Sequence, residues 1–178
     1  MKEEIVIKAL KSEDRKVQKW LFTKYSRLFL AICRRYVKVQ EDAEDVLLRG
    51  FYKIYKNIPQ YSGTGSFEGW MKRIMINESL MFLRKNNNFK LKVEISNIEI
   101  KTKLTIQDQL EAEDIIKLLD KLPTGYRTIF NLYVVEGYKH REIAEELGIS
   151  INTSKSQLIL AKKRLRDLIK KEGLLDVG

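Results

Sequence analysis

The sequence is poor in cysteine and histidine. Among 178 residues there are one cysteine and one histidine. The lone cysteine, Cys33, excludes a disulfide within the chain and fits a reducing compartment, and its place on an apolar helical face predicts a core residue. The lone histidine, His140, gives acid–base catalysis little to work with. We therefore expect neither enzymatic activity nor a cofactor.

Long apolar runs are also missing. No window approaches the roughly 20 apolar residues that a membrane-spanning helix needs, or the shorter apolar core of a signal peptide. Lysines and glutamates instead alternate with short apolar runs near the N-terminus. These features predict a cytoplasmic protein without stable membrane insertion.

Charge is abundant, and it is unevenly distributed. The formal net charge is +10, which favours a polyanionic partner, although a basic chain can also be merely soluble. Residues 1–90 carry 19 basic and 10 acidic side chains, residues 91–120 carry 4 and 7, and residues 121–178 carry 11 and 7. Two basic blocks therefore flank an acidic connector.

The stretch from Tyr138 to Arg166 has the pattern of two helices joined by a tight turn. Gly148 ends the first helix because glycine adopts the left-handed conformation easily, and Ser150 caps the second. Ser154 stands where such motifs usually have an apolar residue, which predicts looser packing or a shifted register. The outer face of the second helix carries hydrogen-bonding and cationic side chains suited to base edges and phosphates. These residues are Asn152, Thr153, Lys155, Ser156, Gln157, Lys162 and Lys163. The sequence thus predicts a helix-turn-helix, with an ordinary helix pair and a solvated basic face as the alternative.

Apolar residues at helical spacing fill the N-terminal part. They run from Glu3 to about Tyr36 with an interruption at Ser12–Asp14, which predicts a short helix followed by a longer one. Four acids in the five residues Glu41–Asp45 then begin another helix, with Asp42 as the predicted cap. Clustered carboxylates also suit a divalent metal in a hydrolase, but a helix start or a docking surface for a basic partner explains them more simply.

A glycine-containing loop separates that helix from a basic, aromatic one. Pro59 ends the first helix, the loop follows, and Phe67 to Lys85 is predicted as one helix. Aromatic rings for stacking and cations for phosphates suit single-stranded nucleic acid, whereas at least one of Phe67 and Trp70 is expected in the core. The candidate residues for such binding are Tyr61, Ser62, Gly65, Ser66, Phe67, Trp70, Lys72, Arg73, Asn77, Arg84 and Lys85.

The helical pattern stops at residues 86–110 and returns afterwards. A helix from Leu110 to Leu122 is followed by Pro123, where a second helix begins and extends to Gly137 as a scaffold for the helix-turn-helix. Tyr133 and Val134 are expected on its apolar face. The fold class is therefore all-α, with two small helical domains, residues 1–88 and 111–178, joined by a linker at 89–110; the C-terminal domain is a helix-turn-helix.

The two basic blocks together resemble the extracytoplasmic function (ECF) sigma factors of bacterial RNA polymerase. The resemblance covers nearly the whole chain outside the linker, and the order and separation of three stretches make it specific. The stretches are Asp42–Val46 running into Phe51, Ser66–Trp70 running through Asn77 to Leu83–Arg84, and Leu122–Arg127 followed by Glu142–Ala144 and Lys155–Ser156.

What the resemblance implies is a division of labour. The N-terminal domain would dock on core RNA polymerase and open and read the minus-10 promoter element as single-stranded DNA. The C-terminal domain would read the minus-35 element as duplex, and an anti-sigma factor is a further partner left open. The polymerase-binding residues would be Asp42, Glu44, Asp45, Leu48 and Arg49. Gln157 and Leu160 stand where arginines are frequent in the family, which predicts a different promoter sequence.

A second reading is a helix-turn-helix regulator whose N-terminal helical domain senses a ligand or partner. The Phe67 to Lys85 helix discriminates between the two, because a sensor domain does not need cations beside aromatic residues next to a glycine-containing loop. A nucleic-acid enzyme is the third reading, and the sequence offers it little support.

Overall fold

The computed structural model describes residues 2–86 and 117–173, which belong to two compact units, Met1–Asn86 and Asn87–Gly178. Every regular element in the described parts is helical, and the second unit contains a helix-turn-helix, so the predicted fold class is confirmed. Within these same parts, no helix is long and apolar enough to cross a membrane. The predicted linker at 89–110 lies outside the described residues.

The first unit has four α-helices and one short 3₁₀ helix. They are α1 (Glu3–Lys11), α2 (Arg15–Tyr36), α3 (Gln40–Asn57), the 3₁₀ helix (Ile58–Gln60) and α4 (Phe67–Lys85). The predicted break between α1 and α2 is confirmed, since the Asp14 carboxylate accepts from the backbone N–H groups of Lys16 at 2.8 Å and Val17 at 3.3 Å. Pro59 follows the end of α3 as predicted, and α4 has the predicted limits.

The predicted cap of α3 is wrong. The helix begins at Gln40, two residues before Asp42, and its N-cap residue Val39 makes no side-chain hydrogen bond. Asp42 lies in the first turn instead, where a negative charge is stabilised by the positive end of the helix dipole without capping it.

The core of the first unit lies between α2, α3 and α4. Cys33 is fully buried there, as predicted, and the Phe29 and Phe51 rings have centroids 5.6 Å apart. Gly50 lets α3 approach α4 closely, because a Cβ atom at this position would lie 2.2 Å from the sulfur of Met75. A larger residue at this crossing therefore requires the Met75 side chain to move within a packed core.

The second unit contains a helical segment at 117–120 followed by three longer helical elements. They are α5 (Thr124–Phe130), which continues as a π-helical segment (Asn131–Val135), α6 (His140–Leu147) and α7 (Ile151–Lys171). The predicted turn between α6 and α7 is confirmed: Gly148 has φ +66°, and the Ser150 hydroxyl accepts from the backbone N–H of Thr153 at 2.9 Å. The predicted helix Leu110–Leu122 lies mostly outside the described residues.

The predicted apolar face of the scaffold helix is wrong in its second half. Tyr133 and Val134 are 38% and 46% exposed. The reason is the π-helical segment, whose wider turn changes the register, so that apolar residues chosen at 3.6-residue spacing no longer share one face. The earlier positions Ile129, Phe130 and Leu132 are buried as predicted.

Candidate nucleic-acid interface

Helix α7 has one packed face and one outward face. The packed face consists of Ser154, Gln157, Leu158, Ala161, Leu165 and Ile169. The outward face exposes Asn152, Lys155, Ser156 and Lys163, while Thr153 and Lys162 are half-buried. Four of the seven residues predicted to face DNA are thus fully available, and they follow one another at helical spacing along one side.

The prediction that Gln157 faces DNA is wrong. Its side chain is 2% exposed, because it lies three residues after Ser154 and four before Ala161, on the face that packs against the rest of the unit. Thr153 is also partly occupied, since its hydroxyl lies 2.8 Å from that of Ser150 at the helix start.

Ser154 joins the packed face through a hydrogen bond. Its side chain is fully buried, and its Oγ lies 2.9 Å from Nδ1 of His140 in α6. Ser154 therefore fits this face without the looser packing or shifted register that the sequence predicts, because the histidine satisfies the hydroxyl in place. Burial first, and then the charges of Lys155 and Lys162, lower the pKa of His140 below its usual value of 6.5.

In the first unit, helix α4 presents a stripe that combines an aromatic ring with polar and cationic groups. Trp70, Arg73, Asn77, Met81 and Arg84 recur at spacings of three and four and are exposed or half-buried. The Asn77 Oδ1 atom is shielded from solvent and has no hydrogen-bond partner among the described residues. Because this oxygen is shielded, Asn77 contributes to the face only through the accessible part of its side chain.

Two of the predicted stacking rings are in the core. Tyr61 and Phe67 are 5% and 3% exposed, so the prediction that their faces receive DNA bases is wrong. They pack against Trp70, with ring centroids 5.0 Å and 5.8 Å from that of the tryptophan. Trp70 is only half-buried, which leaves it as the aromatic residue of this group that a base can reach. The expectation that at least one of Phe67 and Trp70 lies in the core is confirmed.

The loop before α4 is closed by its own side chains. Gly63 and Gly65 have φ values of +77° and +78°, which favour glycine at both positions. The Ser62 and Thr64 hydroxyls lie 2.7 Å apart, and the Ser66 hydroxyl caps α4 by accepting from the Gly69 N–H at 3.1 Å. The loop is therefore exposed but locally ordered by hydrogen bonds.

The cations of α4 are not equivalent. Lys72 lies on the opposite side of the helix from Trp70 and pairs with Glu68 at 2.7 Å. The sequence places it among the nucleic-acid-binding residues, but in the structure it lies outside this stripe. Lys85 is exposed near the C-terminal end of the helix. The structure thus brings together Trp70, Arg73, Asn77 and Arg84 from the predicted set, and it separates Lys72 from them.

The outer face of α3 is acidic at its start and apolar further along. Glu44 and Asp45 are exposed, Asp42 is half-buried, and the exposed Leu48 is followed one turn later by Tyr52, which is 64% exposed. An exposed leucine and tyrosine beside carboxylates form a surface suited to another protein. Among the described residues, no group of three histidine, cysteine or carboxylate side chains converges as a metal site.

Sequence reasoning missed three residues that complete these surfaces. Tyr52 extends the α3 face and is detectable from its spacing after Asp45 and Leu48. Lys11 donates from its ammonium group to the Tyr61 carbonyl oxygen at 3.1 Å, a contact 50 residues apart that no local pattern indicates. His140 contacts Ser154 in the next helix, a pairing 14 residues apart that no local pattern indicates.

Two protein-family models match this chain. Residues 21–89 match the family model of Sigma-70 region 2, and residues 112–165 match that of Sigma-70, region 4. The chain is 30% identical over 152 residues to RNA polymerase sigma factor SigV of Bacillus subtilis, covering 85% of this chain and 90% of SigV. It is 24% identical to the ECF RNA polymerase sigma-E factor of Haemophilus influenzae, covering 94% and 95%.

A solved structure shares the fold. The sigma factor RpoE of Bartonella quintana, in complex with the anti-sigma factor NepR, superposes with a TM-score of 0.55 at 22% identity, covering 85% of this chain and 96% of that chain. The chain belongs to the sigma-70 family of RNA polymerase sigma factors. Within it the chain is of the ECF type: it binds core polymerase and promoter DNA, directs transcription initiation and is not an enzyme. The reading as a regulator with a sensor domain is therefore wrong.

Proposed function

We propose that the two units divide promoter recognition, the first capturing the unpaired minus-10 strand and the second reading the minus-35 element as duplex. The observation that carries this proposal is the difference between the two surfaces. The α4 stripe offers a reachable tryptophan ring beside cations, which suits unstacked bases. The outward face of α7 offers hydrogen-bonding side chains on an exposed helix, which suits the major groove.

For the minus-35 element, Asn152, Lys155 and Ser156 are the proposed base readers. The preferred duplex is first selected from a randomised library with the holoenzyme, the chain assembled with core polymerase. Lys155→Ala should then cost on the order of 1–3 kcal/mol on the preferred duplex and relax the preference at one position. Lys171→Ala, an exposed lysine at the far end of α7, is the matched control. Equal losses in the two variants, or none in either, would contradict base reading.

Phosphate contacts are assigned to Lys162 and Lys163. Removing either should weaken binding to all duplexes alike and lower the slope of binding against salt by about one contact. A changed base preference with an unchanged salt slope would instead place that lysine at a base edge.

For the minus-10 element, Trp70 is the proposed platform for an unstacked base, with Arg73, Asn77 and Arg84 along the strand. Trp70→Ala in the holoenzyme should slow promoter opening, measured with a fluorescent base analogue in the minus-10 region, because stacking contributes about 1–3 kcal/mol per base. A pre-melted promoter should rescue the variant. Trp20→Ala, the other tryptophan, is the control; failure of Trp70→Ala to form a complex on the pre-melted template would contradict a role limited to opening and point to a folding defect.

Docking on core polymerase is assigned to the outer face of α3, including Asp42, Glu44, Asp45, Leu48 and Arg49. Leu48→Ala and Tyr52→Ala should each weaken binding to core polymerase, because both side chains are exposed and lose area only on binding. Asp42→Lys with Asp45→Lys should do the same at unchanged helicity, since exposed charges contribute little to stability. Glu4→Lys, exposed on α1, is the control, and normal affinity in the α3 variants would contradict this surface.

The domain limits 1–88 and 111–178, the cytoplasmic location and an anti-sigma partner complete the proposal. The two family matches at residues 21–89 and 112–165 support the division, and work on core polymerase requires the cytoplasm. The complex of the Bartonella quintana relative with its anti-sigma factor supports a partner of this class. Affinity purification of the chain from its own cells should recover core polymerase, an anti-sigma protein, or both in separate pools; recovery of neither would contradict the partner assignments.

A further inference from the structure

We infer that Tyr133, His140 and Ser154 form a positioning chain that fixes how α7 presents its base-reading side chains. The inference rests on the proposed reading of the minus-35 element by α7. None of the three residues lies on the outward face of α7. They act on it from behind, through one hydrogen bond and one ring contact.

The hydrogen bond fixes α7 at its N-terminal turn. Ser154 Oγ lies 2.9 Å from His140 Nδ1, and the serine side chain is fully buried. An apolar residue at this position packs in any orientation that fills the space, whereas a hydrogen bond is directional. Breaking it leaves a buried hydroxyl without its partner, so the helix is held in the orientation that keeps the bond.

The position of the bond connects it to recognition. Ser154 lies between Thr153 and Lys155, in the turn that also carries Asn152 and Ser156. A small rotation or shift of α7 at this point displaces all the proposed base readers together. Binding sites that must hold geometry to about 0.5 Å depend on such supporting contacts.

The scaffold helix fixes the other end of the positioning chain. The Tyr133 ring lies 4.4 Å from the His140 ring, centroid to centroid, at an interplanar angle of 23°. Tyr133 belongs to the π-helical segment after α5, and π-helical turns occur frequently at functional sites. The π register turns Tyr133 outward, where it stacks on the imidazole and limits its rotation. The stack on Tyr133 thereby fixes the orientation of His140 relative to the scaffold helix. The hydrogen bond to Ser154 then fixes α7 relative to His140.

The test uses variants that remove one part of the chain at a time. Ser154→Ala removes the hydroxyl, His140→Phe keeps a ring against Tyr133 but removes the nitrogen, and Tyr133→Ala removes the stack at an exposed position. Tyr133→Phe keeps the stack and is the matched control. Each holoenzyme is measured on the selected minus-35 duplex and on duplexes with one base changed, at several salt concentrations, after helicity is compared.

We expect Ser154→Ala and His140→Phe each to reduce the preference for the selected duplex by roughly three- to tenfold, part of what one base contact supplies. The double variant, Ser154→Ala with His140→Phe, should lose no more preference than either single variant. The salt dependence of binding should stay unchanged. Tyr133→Ala should show a smaller loss of the same kind, and Tyr133→Phe none. A merely structural role would lower affinity for all duplexes equally.

Two results overturn the inference, and they differ from failure of the proposed function. In the first result, Lys155→Ala relaxes the preference, but Ser154→Ala, His140→Phe and Tyr133→Ala leave it intact. Helix α7 then reads the duplex without help from the positioning chain. If the losses of Ser154→Ala and His140→Phe add in the double variant, the two residues act independently. If Lys155→Ala also changes nothing, base reading by α7 itself fails and the positioning chain fails with it.

Discussion

The Tyr61 hydroxyl donates to the Gly65 carbonyl oxygen at 3.1 Å, so the loop before α4 is tied by the ring that was expected to receive a base. The same residue is held from the other side, where the Lys11 ammonium donates to its backbone carbonyl at 3.1 Å. Helix α1 and the loop are thus joined through Tyr61. The tyrosine ring packs against Trp70, so it supports the aromatic residue that a base can reach.

Tyr61→Phe therefore removes one hydrogen bond while the ring stays in place. We expect a stability loss of about 0.5–1.5 kcal/mol and slower opening of the minus-10 region, because the loop loses its closing contact. Tyr55→Phe is the control, since the Tyr55 hydroxyl donates to the Gln18 carbonyl oxygen at 3.0 Å, away from the loop. Opening rates that are equal in the two variants would contradict a special role for the loop contact.

Gly50→Val should destabilise the first unit by about 1–3 kcal/mol, because the added atoms overlap Met75 in a packed core. Combined with Met75→Ala, which is itself destabilising, the total loss should be smaller than the sum of the two single losses, because the truncated side chain makes room for valine. Cys33 supplies the readout, since burial raises its pKa to about 11 and a folded unit protects it from thiol reagents. A labelling rate in Gly50→Val equal to that of the parent chain would contradict the packing argument.

The helices were largely predictable because local signals define them. The limits of α4, the Asp14 cap and the Gly148 turn depend on residues a few positions apart, which periodicity and capping chemistry detect. The start of α3 was predicted too late because a carboxylate near a helix start stabilises the helix with or without capping it. Asp42 therefore does not mark the first residue of α3.

The faces of the helices were less predictable. Gln157 and Lys155 are both polar and two residues apart, and only the packing of the unit decides which of them is buried. Tyr61 and Trp70 have similar patterns, yet one ring is in the core and the other is reachable. The Ser154–His140 bond joins residues 14 positions apart in two helices, so the sequence pattern alone does not indicate a partner for Ser154.

Ser150→Ala should destabilise the second unit by about 0.5–2 kcal/mol, because its hydroxyl caps the start of α7. The loss should also loosen the turn that carries Asn152 and Thr153, so base preference should fall together with stability. Ser156→Ala tests the matched case, since that hydroxyl donates only to the exposed Thr153 carbonyl oxygen at 3.1 Å. A larger stability loss in Ser156→Ala than in Ser150→Ala would contradict the capping assignment.

His140 makes the stability of the second unit depend on pH. Its pKa in the folded state lies below the ordinary value of 6.5, chiefly because of burial and then because of Lys155 and Lys162. The unfolded chain therefore binds the proton more readily, and stability is complete above about pH 6.5 and falls as the pH drops from there towards the folded pKa.

Unfolding by urea between pH 5 and pH 8 measures this dependence. We expect the urea midpoint to fall on acidification through pH 6.5. The free energy of unfolding should fall with a slope below the roughly 1.4 kcal/mol per pH unit that one proton allows. His140→Phe should remove the fall in this window, because the chain has no other histidine. Ser154→Ala should keep a fall of changed size, since the imidazole remains but loses its partner. A midpoint in the parent chain that rises on acidification would show that the imidazolium is favoured in the folded state and would reverse the sign.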